Sequence, residues 1–267
     1  MTRHPLHGPV DALIRRVARD VVMAHFRNLS AEDVVEKEAD DLVTVADREA
    51  ERRLTAGLAA LDPDARIVGE EATASDASLL DGLDKGRIWL IDPIDGTNNY
   101  AHGRSPFAIM LALLEDGDTV AAWIYDPVLD RLCSAVRGGG AWIDGRRMTV
   151  AARDPLASLR AAISLHFMDD AAREETARRT RDRMEIVATP RCAGEQYPQL
   201  VLGQADVALF QRVLPWDHAA GALFLAEAGG VCRRADGSCY RVADHRPIML
   251  AATTDAIWRQ AAAILFD

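Results

Sequence analysis

Ile91-Asp92-Pro93-Ile94-Asp95-Gly96-Thr97-Asn98-Asn99 closes an apolar run, residues 87–91, by gathering two carboxylates and a glycine-threonine turn. The run reads as a short buried strand, Pro93 stops its ladder, and Gly96 permits a tight backbone that can approach a ligand. Hard carboxylate oxygens at such a bend suit Mg²⁺, which prefers oxygen ligands and keeps some water. Asp92 and Asp95, three residues apart at a strand end, can converge on one cation while the Ile94 carbonyl points inward between them. Taken alone, the same stretch also reads as an acid-rich loop in which Asp95 or Thr97 caps a helical turn.

Further acids lie where such a site needs them. Upstream, Ile67-Val68-Gly69-Glu70-Glu71 is another apolar strand running into glycine and acid; Glu70 is the site candidate, and Glu71 reads as its solvent-facing neighbour. Downstream, Pro215-Trp216-Asp217-His218-Ala219-Ala220-Gly221 puts an acid at the mouth of an alanine-rich helix. Asp217 suits both metal ligation and a helix N-cap, and the two roles are compatible.

With these segments in place, the chain resembles the inositol monophosphatase family of metal-dependent, lithium-sensitive sugar phosphatases. Four motifs in order carry the resemblance over nearly the whole chain. They are Lys37-Glu38-Ala39-Asp40-Asp41-Leu42-Val43-Thr44-Val45-Ala46-Asp47, Gly69-Glu70-Glu71, Asp92-Pro93-Ile94-Asp95-Gly96-Thr97, and Trp216-Asp217-His218-Ala219-Ala220-Gly221. The resemblance implies a layered αβαβα sandwich of the inositol monophosphatase/fructose-1,6-bisphosphatase type, combining α+β and α/β character. It implies two or three Mg²⁺ ions, with Mn²⁺ as substitute, held by Glu70, Asp92, the Ile94 backbone oxygen, Asp95 and Asp217, Asp92 bridging two of them.

By the same resemblance, the catalytic residues are Asp47, Glu70 and Thr97, with Thr97 and Asp47 working on the attacking water. Water is a poor nucleophile until a cation lowers its pKa and a base accepts its proton. Substrate contacts fall on Asp95, Gly96, Thr97, Gly194, Glu195, Phe210 and Asp217, and the backbone N–H groups of Gly96 and Thr97 offer a positive dipole end to phosphate. Lys37 matches the family's lysine on a loop near the metals, and reads equally as a surface lysine. His102 and His218 lack metal spacing and read as structural histidines; Trp216 reads as packing.

Two segments depart from the family pattern. Where inositol phosphatases carry a small-residue stretch, this chain has Ala193-Gly194-Glu195-Gln196-Tyr197-Pro198; only Gly194 matches. Six residues before Trp216, where a glutamate accepts a bond from an inositol hydroxyl, stands Phe210. A site built to bond a hydroxyl loses discrimination when an aromatic ring replaces the acceptor. Glu195 is a candidate replacement, or the substrate is a different small phosphate.

The 267 residues, 49% hydrophobic, suffice for one unit with a sizeable core. Residues 1–150 read as an α+β half with most metal ligands, and residues 151–267 as an α/β half with Asp217 and the substrate wall. Helices are expected at 9–29, 47–61, 169–184, 199–203, 217–228 and 255–265. Strands are expected at 107–114, 120–125, 142–148, 160–164, 186–189 and 207–210, with hairpin turns at Asp116-Gly117, Asp144-Gly145 and Asp236-Gly237.

The net charge of −10 argues against sequence-independent nucleic-acid binding but is compatible with a phosphorylated substrate, because bound cations reverse the sign of an acidic pocket. No apolar run of 18 residues and no secretory signal is seen, so a cytoplasmic protein is expected. Cys133, Cys192, Cys232 and Cys239 lack C-x-x-C spacing; a 236–237 turn sets Cys239 opposite Arg234 rather than Cys232, so buried reduced thiols are expected.

The expected activity is a Mg²⁺-dependent phosphomonoesterase acting on a small phosphorylated polyol, with inositol monophosphate leading by family frequency and a homodimer the family habit. Alternatives within the class are a 3′(2′),5′-bisphosphate nucleotidase, a histidinol-phosphatase and a fructose-1,6-bisphosphatase. An alternative of another class is a regulatory protein associated with RNA machinery. A glycosidase with paired carboxylates would not need the Asp95-Gly96-Thr97 turn.

Overall fold

The computed structural model describes residues 4–38, 41–151, 153 and 158–266. Helix α1 (His7–Val17) continues through a π-helical turn at Ala18–Val22 into the short α2 (Met23–His25). The antiparallel strands β1 (Val34–Glu38) and β2 (Asp41–Thr44) lead into α3 (Val45–Leu61), and β3 (Arg66–Gly69) leads into α4 (Glu70–Ser75). Then come β4 (Arg87–Asp95), α5 (Thr97–Ala101), β5 (Ala108–Glu115), β6 (Asp118–Asp126), β7 (Arg131–Val136), β8 (Gly140–Ile143) and β9 (Arg146–Met148). The remaining elements are β10 (Leu159–Ile163), α6 (Asp170–Thr180), β11 (Met184–Val187), α7 (Ala193–Val201), β12 (Val207–Phe210), α8 (Pro215–Glu227), β13 (Val231–Arg233), β14 (Met249–Ala252) and α9 (Asp255–Leu265).

The strands β3 to β9 form one seven-stranded sheet in sequence order, parallel only between β3 and β4. The other large sheet has the order β11-β10-β12-β14-β13 and is mixed, its last two strands antiparallel. Side-chain alternation sorts the cores. Trp89, Ile91, Ile109, Leu111 and Trp123 face α1 and α3 through Val10, Ile14, Leu54 and Leu58. Ile88, Leu90, Met110 and Ile124 face the opposite way, onto α7 and α8, whose Tyr197, Leu200 and Phe224 also meet Ala208 and Met249 of the second sheet. The far side of that sheet packs Leu159, Val207 and Leu250 on Trp258 and Ile264 of α9. The order α-β-α-β-α follows.

Both faces of β4 are therefore covered, which is why its sequence reads as an unbroken apolar run. The strand does not stop at Pro93. It runs to Asp95, and its register against β5 shifts between Asp92 and Asp95, an irregularity that accommodates a proline with no N–H to give.

Other expectations need adjustment. The 199–203 helix is α7, beginning at Ala193, with Pro198 inside it; Gly194 and Pro198 masked the helical pattern. The second sheet's β13 and β14 are too short, three and four residues, for period counting. The turns at 116–117 and 144–145 are present, each with positive φ at both residues. Arg233, not Arg234, pairs with Cys239, and Cys239 is exposed while Cys133 and Cys192 are buried; all four are free thiols.

Candidate active site

The cleft lies where β3 and β4 end side by side. Gly69 is in register with Ile91, so Glu70 and Asp92 leave the sheet as neighbours, at the first residue of α4 and near the end of β4. Side-chain alternation places Asp92 on the face toward α7 and α8, and its Oδ1 accepts the Ile94 N–H at 3.0 Å. Asp95 Oδ2 accepts the Gly194 N–H at 2.6 Å and the Cys192 thiol at 2.9 Å, tying β4 to the start of α7.

Gly96 sits between them at φ +87°, in the left-handed region that a side chain disfavours, and turns the chain into α5. Thr97 opens that helix. Its hydroxyl stands 2.9 Å from the Ile94 carbonyl and 3.3 Å from Asp47 Oδ1. Asp47 is buried. It is the third residue of α3 in a capping box: its Oδ2 accepts the Thr44 N–H at 2.8 Å, and the Thr44 hydroxyl donates to it as well.

Asp217 is the third residue of α8, whose N-cap is Leu214 with no side-chain cap, so Asp217 is not the N-cap allowed for in the sequence. Its charge, with those of Glu70, Asp95 and Asp47, acts on Asp92. Burial first, and then these four acids, push the Asp92 carboxyl well above the usual carboxylate range. Burial also raises Asp95, against the lowering pull of its bonds from Cys192, Gly194 and Ala193 and of the Arg212 guanidinium.

Such a donor set fits a hard divalent cation: the carboxylates are mutually repulsive, buried at Asp92 and Asp95 and half-buried at Glu70 and Asp217, and include no thiolate or imidazole. Among the described residues no three His, Cys, Asp or Glu side chains are already drawn together tightly enough to hold an ion.

Glu70, Asp92, Ile94, Asp95, Gly96, Thr97, Phe210 and Asp217 all line this cleft; Asp47, Gly194 and Glu195 do not. Asp47 and Gly194 reach it through Thr97 and Asp95. Glu195 turns away, paired with Arg131 and 3.3 Å from Gln199 Nε2, so it does not replace the missing hydroxyl acceptor. Gln196 takes the wall instead. Phe210 is in place, but its ring stacks on Tyr197 at 5.4 Å and meets His218 edge-on at 4.6 Å.

His218 bonds the Tyr197 hydroxyl through Nδ1 at 2.9 Å and the Arg212 carbonyl through Nε2 at 3.1 Å, a structural histidine held neutral by burial, its pKa pushed down to about 3. His102 bonds the Asn98 carbonyl, and Trp216 is buried packing. The Lys37 side chain lies outside the described residues. Sequence reading missed Arg191, Cys192, Gln211 and Arg212, which also line the cleft. Arg212 is four residues before Trp216, close enough to that motif to have been suspected.

This arrangement has counterparts. The family model described as the inositol monophosphatase family matches residues 9–264. The chain belongs to that family. A "Fructose-1,6-bisphosphatase/inositol-1-monophosphatase" of Thermotoga maritima is 33% identical over 226 residues, 82% of this chain and 80% of the relative. A "Nus factor SuhB" of Pseudomonas aeruginosa is 33% identical over 240 residues, 86% and 87%. The crystal structure of an "extragenic suppressor protein suhB" from Bartonella henselae superposes with a TM-score of 0.83 at 26% identity, covering 99% of both chains. The αβαβα sandwich and the phosphoric monoester hydrolase class are those of the family.

Proposed function

We propose that this protein is a Mg²⁺-dependent phosphomonoesterase for a small phosphorylated metabolite, with Glu70, Asp92, the Ile94 carbonyl, Asp95 and Asp217 holding two or three ions. The observation that carries the reading is the crowding of four acids around buried Asp92, an arrangement that costs free energy unless a cation offsets it. A cation bound there supplies positive charge to phosphate oxygens, acidifies the attacking water and stabilises the leaving alkoxide.

The protein's own groups do the rest. Asp47 fixes Thr97 and takes the water's proton through it; this requires the Thr97 hydroxyl to turn from the Ile94 carbonyl towards Asp47, a change within the two distances observed. Gly96 and Thr97 present backbone N–H groups to phosphate. Gln196, Phe210, Gln211 and Arg212 line the cleft and are assigned here to the leaving group.

Phosphate release from a panel of phosphorylated polyols, sugars, nucleotides and histidinol phosphate, with Mg²⁺, Mn²⁺ or chelator, tests the reading. Equal release with chelator would sink it. Lithium inhibition, a homodimer and a cytoplasmic location are further expectations from the family. Among the described residues no helix is long and apolar enough to cross a membrane.

A second reading draws on the Pseudomonas relative's name: a regulatory role with RNA machinery. It is separated from the first by function that survives Asp95→Asn. The net charge of −10 weighs against direct nucleic-acid docking.

A further inference from the structure

Helix α3 bears a second acid one turn beyond Asp47. Glu51 is buried, 6% exposed, and reaches away from Thr97 towards the opposite arm of the cleft. Its Oε2 accepts the Glu71 N–H at 2.7 Å and its Oε1 the Ala72 N–H at 2.8 Å. These amides belong to the first turn of α4, whose own N-cap, Gly69, has no side chain to offer. The cap is borrowed from a neighbouring helix.

Gly69 has its own reason to be glycine. A Cβ there would fall 2.2 Å from Glu51 Cδ and 2.5 Å from both carboxylate oxygens, so the space of the absent side chain is what the carboxylate fills. The backbone makes no such demand, since Gly69 has φ −105°. A six-residue helix is too short to hold itself together in water, and its first residue is Glu70.

We infer that Glu51 is a positioning residue for Glu70. By clamping the two amides that follow Glu70, it fixes the direction in which that side chain leaves β3. Because Asp47 and Glu51 share one face of α3, a single rigid element then sets both the Thr97 partner and the Glu70 arm. The inference rests on Glu70 being a metal ligand, as proposed above.

The test is Mn²⁺ titration of the full chain, followed by electron paramagnetic resonance of the free ion, for wild type, Glu51→Gln, Gly69→Ala, Glu70→Gln and the double variant Glu51→Gln/Glu70→Gln. Glu51→Gln keeps the shape and one acceptor, whereas Gly69→Ala keeps the carboxylate but displaces it. Both are expected to weaken Mn²⁺ binding roughly 10- to 100-fold, as loss of a ligand-orienting partner does. In the Glu70→Gln background, Glu51→Gln should add nothing.

Wild-type binding by folded Glu51→Gln and Gly69→Ala, beside a weakened Glu70→Gln, would overturn the inference and leave the metal reading standing. Additive losses in the double variant would also overturn it. Unchanged binding by Glu70→Gln would remove Glu70 from the cation set, and this inference with it, whereas no Mn²⁺ binding by the wild type would remove the metal reading itself. Should Glu51→Gln fail to fold, Gly69→Ala decides between these outcomes.

Discussion

Thr97 Oγ1 stands 3.3 Å from Asp47 Oδ1 across 50 residues of sequence, joining the head of one helix to the third residue of another. The pair is held from both ends: Asp47 by its capping box with Thr44, and Thr97 by the left-handed turn at Gly96.

Thr97→Ala and Asp47→Asn are accordingly expected to lower kcat roughly 10²- to 10⁴-fold, the usual range for losing proton transfer, with a smaller change in KM. Steady-state kinetics at saturating Mg²⁺ checks this. A rise in KM alone for both would make them binding residues.

Asp95→Asn and Asp217→Asn should abolish Mg²⁺-dependent phosphate release while the fold persists. Asp217 caps no helix, so its replacement removes a ligand charge without costing α8 a cap. Turnover at wild-type level in either variant would exclude that residue from the cation set. Circular dichroism separates the result from unfolding.

Added Mg²⁺ should raise Tm, and more at pH 6 than at pH 4, since the window opens at the ordinary carboxylate value. The folded pKa of Asp92 is raised, so the cation-free protein keeps a proton there that unfolding releases, and its stability falls as pH rises above the ordinary carboxylate value. Ligation displaces the same proton, so binding strengthens with pH. A Mg²⁺ shift independent of pH would count against proton displacement at this cluster.

His218 has the opposite sign. Its folded pKa is lowered from 6.5 to about 3, so the unfolded chain takes up a proton that the native protein refuses. This contribution is complete above pH 6.5 and is lost as pH falls towards 3, with a slope of about 1.4 kcal/mol per pH unit. Urea unfolding between pH 4 and 6 should show that slope reduced in His218→Gln. Identical slopes would mean that another group titrates.

Inositol monophosphate should be a poorer substrate than another small phosphate, by roughly 10- to 150-fold in kcat/KM, because the cleft offers the Phe210 ring where a charged acceptor is expected. Phe210→Glu would not repair the site. It would set a carboxylate between Tyr197 and His218, and lower Tm is the expected result. A wild-type preference for inositol monophosphate would show that Gln196 or Gln211 supplies the contact.

Local chemistry made much of this protein legible without coordinates. The acids, Gly96 and Thr97 sit at strand ends, turns and the first turns of helices, whose signals lie within a few residues, and strands β4 to β6 announce themselves by apolar runs around positive-φ turns. Side-chain direction at the cleft was not legible. Glu195 and Gln196 are adjacent in sequence, yet Arg131 draws one away while the other lines the wall, because a helix turns successive residues through different faces and a distant strand supplies the charge. Likewise, nothing near Glu51 in sequence announces that it caps α4. Sequence alone determined the family motifs and the order of the acids, since these depend on short-range chemistry; only the packed structure decided which of their neighbours support them, since that depends on contacts 20 to 100 residues apart, such as Glu51 with Glu71 and Asp95 with Gly194.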